Sequence, residues 1–225
     1  MPLLRRSVGA GRAAVVSCLT AAVAGPIVAC SAPAPVASNP GGAIISTQGA
    51  SGGGFHGVVL DEPYPEPTEA FTDMQGQTFT FGHDATRPVV LVFFGYTNCP
   101  DVCSTVLADV ASALRPLDPG TRKKVELVFV TTDPDRDTGP VLRAYLARFD
   151  ASFVGLTAPI GEIRRVAAGL GVAITGHDGT GTGYTVGHGA QVIGFGPDRQ
   201  AGVIWLPGTP VRDLRADVLR LASSG

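Results

Sequence analysis

The stretch VVLVFFGYTNCPDVC, residues 89–103, decides the fold. It opens with a continuous run of β-branched, aromatic and leucine side chains that stops at Gly95, a pattern typical of a strand buried on both faces. Apolar residues then recur at helical spacing over 103–117, and a second continuous apolar run over 125–130 predicts another buried strand. The order strand, helix, strand indicates an α/β domain.

The rest of the chain continues this alternation. Apolar positions alternate on both sides of Gln75-Gly76, which predicts a short hairpin over 71–81. Further helices are predicted over 140–149, 162–170 and 210–221, and further strands over 153–156, 191–195 and 202–206. Alternating strands and helices that end in a hairpin and a helix match a thioredoxin-like α/β sandwich, in which helices flank a central mixed β-sheet.

The N-terminal region predicts export. Residues 1–30 contain three arginines and no acid, and an apolar stretch follows the last arginine and ends at Cys30. Residues 27–30, IVAC, resemble the lipobox of bacterial lipoproteins, in which the cysteine is acylated and becomes the new N-terminus. We therefore expect a lipoprotein signal peptide over 1–30 and a lipid on Cys30 that anchors the protein to the outer face of the bacterial cytoplasmic membrane. A plain secretory signal or an uncleaved anchor is the alternative, and the export route stays open.

The domain organisation follows from composition. Residues 31–56 are rich in Ser, Ala, Pro, Gly and Asn and show almost no periodicity. Such a composition predicts a flexible tether. The tether would let a folded domain over 57–225 reach a partner in the membrane. The chain of 225 residues is long enough for this one domain and for little else.

The charge of the chain argues against nucleic acid as a partner. The whole chain has a formal charge of −2. Cleavage before Cys30 removes three arginines and no acid, which leaves 14 Lys and Arg against 19 Asp and Glu, a charge of −5. Proteins that bind nucleic acid contact its phosphates mainly through Lys and Arg. We therefore expect no nucleic-acid partner.

The four cysteines of the chain reduce to one pair. Cys18 lies inside the apolar part of the signal, and Cys30 is assigned to the lipid. Cys99 and Cys103 remain, in a protein that is expected in an oxidising compartment. Such a pair is a local disulfide, a redox pair or a metal site.

The position of the pair favours thiolate chemistry. If both cysteines lie in or next to the first turn of the helix, their Cβ atoms are about 5–6 Å apart on one face, and Pro100 suits that first turn. The free backbone N–H groups there are expected to lower the pKa of the thiols. Thiolates are soft ligands that select copper(I) or zinc, and an imidazole is the natural third ligand. Spacing alone does not choose among the four histidines, which are His56, His83, His177 and His188.

Three segments carry a resemblance to a known family. Residues 93–103, FFGYTNCPDVC, resemble the signature of the Sco/SenC family, copper chaperones for cytochrome oxidase assembly. Residues 130–138, VTTDPDRDT, and 184–188, YTVGH, resemble two further motifs of that family. The resemblance runs from about Phe71 to the C-terminus. It implies a thioredoxin-like fold and copper, as Cu(I) or Cu(II), bound by the ligands Cys99, Cys103 and His188.

The resemblance also implies a function. The protein would be a metallochaperone and not an enzyme, and it would deliver copper to the binuclear copper site of cytochrome c oxidase subunit II or a similar acceptor. The alternative is a thiol:disulfide oxidoreductase that reduces the cysteines of that oxidase site, with Cys99 and Cys103 forming a redox disulfide and a thiol-disulfide reductant as partner. Such enzymes normally have two residues between their cysteines, and here there are three. A peroxidase on the same fold is a weaker alternative that rests on fold analogy alone.

The sequence departs from the family on both sides of His188. The family usually has an acid before this histidine and a serine after it, whereas the neighbours here are Gly187 and Gly189. The loss of side-chain hydrogen bonds is expected to loosen the orientation of the imidazole and to weaken the site. A glycine-rich segment over 176–183 precedes the motif, and its mobility would let His188 move onto and off the metal.

Two acids follow the second buried strand. Asp133 and Asp137 suit a turn and a helix cap at least as well as a hard-metal or acid/base pair. Of the two, Asp133 is retained as a candidate for hydrogen bonding to a metal ligand. His83 and His177 are interpreted as ordinary loop residues.

Overall fold

The computed structural model describes residues 54–176 and 187–224. The predicted signal peptide, Cys30, the tether up to residue 53, His177 and residues 177–183 of the glycine-rich segment lie outside the described residues. Within the described ranges, no helix combines the length and the apolar character needed to cross a membrane.

The described residues form ten strands and six helices. The strands are β1 (Val58–Pro65), β2 (Ala70–Asp73), β3 (Thr78–Thr80), β4 (Val89–Gly95), β5 (Val125–Thr131), β6 (Val154–Thr157), β7 (Ile174–Thr175), β8 (Gly187–His188), β9 (Val192–Phe195) and β10 (Gln200–Trp205). The helices are α1 (Phe81–Asp84), α2 (Val102–Leu114), α3 (Pro119–Arg122), α4 (Gly139–Leu146), α5 (Ile160–Gly169) and α6 (Val211–Ser223).

Eight of the strands form one mixed sheet, which confirms the predicted architecture. Its order is β1-β10-β9-β4-β5-β6-β2-β3. Strand β4 runs parallel to β5, and β5 runs parallel to β6. The other neighbours in the sheet are antiparallel. Every residue of β4 and β5 is buried, as their continuous apolar sequences predict.

The two faces of the sheet bury separate cores. Val89, Leu91 and Phe93 of β4 pack with residues of α2, α4 and α6, whereas the intervening side chains of β4 pack on the opposite face with residues of α5 and of the hairpin formed by β2 and β3. Successive side chains of a strand point to opposite faces, so one continuous apolar run supplies both cores. Burial of a phenylalanine such as Phe93 contributes about 1.5–3 kcal/mol to folding.

Strand β1 is absent from the sequence prediction. It pairs with β10 at the edge of the sheet, and its register shifts between Val59 and Tyr64. Proline lacks the N–H that a central strand needs, but an edge strand tolerates it. The prolines and acids of this segment therefore prevented its prediction as a strand, although an edge position allows them.

The residues just before β1 are hydrogen-bonded to helix α6. The carboxylate of Asp217 accepts hydrogen bonds from the backbone N–H of His56 at 3.0 Å and of Gly57 at 2.9 Å, and from the indole N–H of Trp205 at 2.8 Å. The Nδ1 atom of His56 lies 2.8 Å from the same carboxylate. Phe55 packs against the core on this side. The packed structure therefore includes the last residues of the segment predicted as a tether.

Candidate metal centre

The predicted metal ligands come from three separate parts of the fold. Cys99 lies in the loop between β4 and α2, Cys103 is the second residue of α2, and His188 ends the short strand β8. Strand β8 pairs with β7, with His188 opposite Ile174. The loop after β4 leaves the carboxyl end of a central parallel strand, where open α/β sheets commonly place their sites.

The three side chains form one cluster of donor atoms. One donor atom from each of Cys99, Cys103 and His188 lies within 4.8 Å of the other two. The Nε2 atom of His188 is 3.2 Å from the Sγ atom of Cys103. Both cysteines are free thiols. Cys103 is fully buried, whereas Cys99 and His188 are partly exposed, so the cluster is open to solvent on one side.

The imidazole of His188 is oriented for ligation by Nε2. Its Nδ1 atom lies 3.0 Å from the carbonyl oxygen of Gly189, so Nδ1 carries the proton and Nε2 keeps its lone pair. The ring also stands edge-on to the rings of Tyr96 and Phe93, with centroids 5.9 Å and 6.2 Å away. Burial lowers the pKa of His188, against the hydrogen bond to Gly189 that raises it. The neutral ring is the form that binds metals.

The backbone beside His188 supplies a hydrogen bond that orients its imidazole. The Gly189 carbonyl accepts from the ring, and the Gly189 N–H donates to the carbonyl of Ala173 at 3.1 Å. A Cβ atom added to Gly189 would lie 2.5 Å from Oε1 of Gln191. The ring is therefore held without a side chain at either neighbouring position, and the effect of the two glycines on affinity stays a prediction.

The condition that both cysteines lie in the first helical turn is not met, because only Cys103 belongs to the helix. Helix α2 begins at Val102, so Cys99 and Pro100 precede it. The N–H of Cys99 instead donates to the carbonyl of Tyr96 at 3.2 Å, which closes a turn after β4. This turn brings the thiol of Cys99 to the thiol of Cys103, although only Cys103 belongs to the helix.

The expectation of a lowered thiol pKa is also wrong for Cys103. Burial raises the pKa of this thiol well above its usual value, and a hydrogen bond with the thiol of Cys99 raises it further, while a backbone hydrogen bond involving Tyr96 opposes the shift. Desolvation therefore outweighs the helix N-terminus. In the metal-free fold Cys103 is a thiol, and it loses its proton when a metal takes its place.

A buried carboxylate that the sequence did not single out as part of the site fixes the loop before Cys99. Asp137 accepts hydrogen bonds from the N–H of Thr97 at 3.0 Å, from the Thr97 hydroxyl at 2.5 Å and from the Thr131 hydroxyl at 2.6 Å. Burial raises the pKa of Asp137, and these hydrogen bonds oppose the rise. Because Thr97 is two residues from Cys99, these hydrogen bonds let Asp137 position the loop between β4 and α2 that carries Cys99. The motif at 130–138 was the signal that pointed to this region.

Asp133, the acid that the sequence favoured, has a different environment. Its side chain is fully buried and forms an ion pair with Arg136, and its N–H donates to the Thr131 hydroxyl at 3.0 Å. The N–H and hydroxyl of Thr97 donate instead to Asp137. A role for Asp133 toward a metal ligand stays a prediction.

Two other candidate histidines lie elsewhere in the described structure. His83 is in α1, where its side chain is exposed and pairs with Asp84. His56 is bound to Asp217. Of the described histidines, His188 is the one that the fold brings to the cysteines.

These features define a class of protein: a mixed α/β domain with a preformed cluster of two sulfur donors and one nitrogen donor beside the end of a central strand. The family model described as SCO1/SenC matches residues 68–223. The chain belongs to this family. The match covers nearly all of the described fold, and it agrees with the resemblance found in the sequence motifs.

Solved structures confirm the thioredoxin-like fold. Apo Sco1 from Thermus thermophilus is 31% identical, with a TM-score of 0.66 over 74% of this chain and 96% of that chain. Copper-bound ScoI from Bradyrhizobium japonicum is 28% identical, with a TM-score of 0.60 over 71% of this chain and 98% of that chain.

Curated relatives match over a shorter segment. The mitochondrial protein SCO2 of Saccharomyces cerevisiae is 32% identical over 112 residues, which is 50% of this chain and 35% of the yeast protein. The chain spans about half or less of the length of the first curated relatives that it matches.

Proposed function

We propose that this protein is an extracytoplasmic copper chaperone. It binds one copper ion through Cys99, Cys103 and His188 and delivers it to the binuclear copper site of cytochrome c oxidase, in subunit II or a similar acceptor, during assembly. The observation that carries the proposal is the cluster in which the three donor atoms lie within 4.8 Å of one another.

The chemistry of the donors fits copper. Two thiolates are soft ligands and favour Cu(I), and an imidazole serves both Cu(I) and Cu(II). A structural zinc site normally has four protein ligands. The described residues offer a group of three, Cys99, Cys103 and His188. A three-ligand site suits a cargo ion that must later leave.

The exposure of the ligands favours transfer from one side. Cys103 is buried, whereas Cys99 is partly exposed. A ligand of the acceptor can approach the copper beside Cys99 and displace this cysteine first, while Cys103 and His188 still hold the ion. Transfer by ligand exchange in this order never releases free copper.

The cellular setting is part of the same proposal. A signal peptide over 1–30, a lipid on Cys30 and a tether over 31–56 would hold the domain over 57–225 at the outer face of the bacterial cytoplasmic membrane, beside a membrane-bound oxidase. Because a disulfide between Cys99 and Cys103 cannot ligate copper, a thiol-disulfide reductant must keep the pair reduced in this oxidising compartment.

Copper titration of the reduced protein tests the proposal. We expect one copper per chain, detected as a Cu(I) complex by competition and as a Cu(II) complex by absorption and spin resonance. The variants Cys99→Ala and Cys103→Ala should lose it, and His83→Ala should retain it because this side chain is exposed and away from the cluster. Wild-type protein that binds no copper would refute the function.

One observation favours a second function, thiol:disulfide oxidoreductase. Cys99 and Cys103 are both free thiols, and their Sγ atoms lie within 4.8 Å of each other. Oxidation of the pair to a disulfide would reduce a disulfide of the acceptor to two thiols, and an external dithiol would then restore the pair. The variant His188→Ala separates the two functions, because disulfide exchange needs only the cysteines whereas tight copper binding needs the imidazole.

A further inference from the structure

Positive charge is concentrated at one end of the domain. The connection from α2 to β5, residues 115–124, contains four cations and one acid. Together with a cation near the end of α6 they form a set that we call the basic end: Arg115, Arg122, Lys123, Lys124 and Arg220. Arg122 is half-buried, and the other four side chains are exposed. The basic end therefore presents several cations to solvent.

Contacts join the two parts of the basic end and place the start of the described chain beside them. The ammonium group of Lys124 donates to the carbonyl of Ala222 at 3.1 Å, so the connection lies against the last turn of α6. The guanidinium carbon of Arg220 lies 5.6 Å from the centroid of the Phe55 ring. A Cβ atom added to Gly54 would be 3.0 Å from the same guanidinium. Residues 1–53 therefore attach to the domain at its basic end.

The carboxylates on these elements leave an excess of positive charge. Asp118 accepts hydrogen bonds from two backbone N–H groups of α3. Asp150 forms an ion pair with Arg122, with an N–O distance of 2.9 Å. Asp217 is buried and bonded to the residues before β1. The five cations outnumber these three carboxylates, so the basic end has a net positive charge.

The basic end lies opposite the metal centre. Helix α2 has 13 residues, which corresponds to a length of about 20 Å. Cys103 is in its first turn, and Arg115 directly follows its last residue. At the other end, residues 96–101 carry Cys99 and contain Asp101 but no cation. One end of the domain thus holds the metal ligands, and the other holds the cations and the attachment of residues 1–53.

We propose that the basic end is a docking surface for a membrane that contains anionic phospholipids. Clusters of Lys and Arg bind such membranes, because each cation near the surface strengthens the association roughly fivefold. The position of the surface favours a membrane over another partner, because residues 1–53, with the predicted lipid on Cys30, attach at the same end. The inference rests on the membrane setting of the proposed function and is independent of copper.

Docking through the basic end fixes the direction in which the metal centre points. When the cations lie on the lipid headgroups, Cys103 is about one length of α2 farther from the membrane than Arg115 is. An anchor on a tether of the predicted composition does not give this orientation by itself, because such a tether lets the domain rotate. The anchor holds the domain near the membrane, and the basic end turns the metal centre toward the extramembrane part of an acceptor.

Chemical labelling of the full chain on vesicles tests the inference. Lys123 and Lys124 are the only lysines of the chain, so an amine-reactive reagent reports on the basic end, with peptide mass mapping to assign the label. Lys123 should react about fivefold more slowly on vesicles of phosphatidylcholine with phosphatidylglycerol than on vesicles of phosphatidylcholine alone, and high salt should restore its reactivity. A thiol reagent should label Cys99 equally on both, because this thiol lies at the other end.

A matched pair of charge reversals sharpens the test. Arg115→Glu reverses one exposed cation of the basic end and should remove most of the protection of Lys123. Arg165→Glu is the control, because Arg165 is an exposed cation of α5, which packs on the other face of the sheet. It should leave the protection as in wild type.

Equal labelling of Lys123 on the two kinds of vesicle, or equal protection in the two variants, would overturn the inference. Copper titration is a separate measurement. A chain that binds copper but shows no protection of Lys123 keeps the proposed function and loses this inference. A chain that shows the protection but binds no copper does the reverse.

Discussion

The Nε2 atom of His188 lies 3.2 Å from the Sγ atom of Cys103, across 85 positions of the chain. Two short elements produce this contact: the first turn of α2 carries the sulfur, and the pairing of β8 with β7 carries the imidazole. Because the contact exists without a metal, the donors are preorganised, and binding loses little entropy in ordering them.

The variant His188→Ala should therefore lose tight copper binding while retaining the fold. Removal of a direct ligand is expected to weaken Cu(I) binding by more than the roughly 10–100-fold that is typical when only a partner of a ligand is lost. The measurement is competition with a Cu(I) chelator of known affinity. In parallel, the thermal midpoint of the metal-free variant should stay close to that of wild type.

The control for this prediction is His83→Ala, which removes an exposed imidazole of helix α1. It should bind copper as wild type does. Equal copper affinities of His188→Ala and wild type would contradict a role for this ring as a ligand and would leave a site of two cysteines.

The two central strands of the sheet could be predicted directly from the sequence. Strands β4 and β5 are continuous apolar runs, and only a strand covered on both faces needs such a sequence. Strand β1 was not predicted, because prolines argue against a strand unless it lies at a sheet edge and because its buried and exposed side chains do not alternate regularly. Local pattern therefore predicts β4 and β5, which are buried on both faces, and misses β1, whose place is set by its pairing with β10.

The candidate site divides in the same way. Cys99 and Cys103 could be selected from the sequence because they are near each other and because Cys18 and Cys30 were expected to belong to the signal peptide and its lipid site. His188 needed the family resemblance, because only the fold places a residue 85 positions away. The raised pKa of Cys103 could not be predicted from a helix N-terminus, because it depends on how many apolar side chains surround the sulfur.

The variant Asp137→Ala should weaken copper binding without removing a ligand. It deletes the acceptor for the N–H and hydroxyl of Thr97, so the loop that carries Cys99 loses its anchor. We expect Cu(I) affinity to fall about 10–100-fold, the range for residues that orient ligands. The test is a chelator competition at fixed pH with fully reduced protein.

Thr97→Val and Asp150→Asn serve as controls for the Asp137 prediction. Thr97→Val removes only the hydroxyl bond to Asp137 and should have a smaller effect of the same sign. Asp150→Asn alters an ion pair with Arg122 away from the cluster and should leave affinity unchanged. An Asp137→Ala protein with wild-type copper affinity would show that the loop is held by other contacts.

The variant Gly189→Ala should destabilise the fold around the imidazole. A Cβ atom there would lie 2.5 Å from Oε1 of Gln191, whose amide donates to the carbonyl of Gly171 at 3.0 Å. Displacing this buried amide is expected to cost about 1–2 kcal/mol in the free energy of unfolding. Denaturant unfolding of the metal-free protein measures it.

Gly161→Ala is the matched control for Gly189→Ala. Gly161 lies in helix α5, and a Cβ atom there meets nothing within 4 Å. Alanine should raise the free energy of unfolding by about 0.5–1 kcal/mol, because glycine is a poor helix former. The two variants are therefore expected to shift the free energy of unfolding in opposite directions. A Gly189→Ala protein that is more stable than wild type would contradict the close packing described at Gln191.

The variant Asp217→Asn should change how the free energy of unfolding depends on pH. Burial raises the pKa of Asp217, but the hydrogen bonds from the backbone and ring of His56, from Trp205 and from Gly57 outweigh it and lower the net pKa. The folded state thus prefers the carboxylate more than the unfolded chain does. Its contribution is complete above the unfolded value of about 3.9 and is lost as the pH falls through the lower folded pKa.

At neutral pH, Asp217→Asn should therefore lower the free energy of unfolding by about 1.5–3 kcal/mol, the range for hydrogen bonds to a charged group. The difference from wild type should shrink as the pH falls below about 4, because acid removes the charge from wild type as well. Thermal unfolding between pH 7 and pH 3 measures both effects. Asp61→Asn, on the exposed side of β1, is the control and should follow wild type. A gap between Asp217→Asn and wild type that is constant across this range would show that the charge of Asp217 does not stabilise the fold, because a purely steric loss is independent of pH.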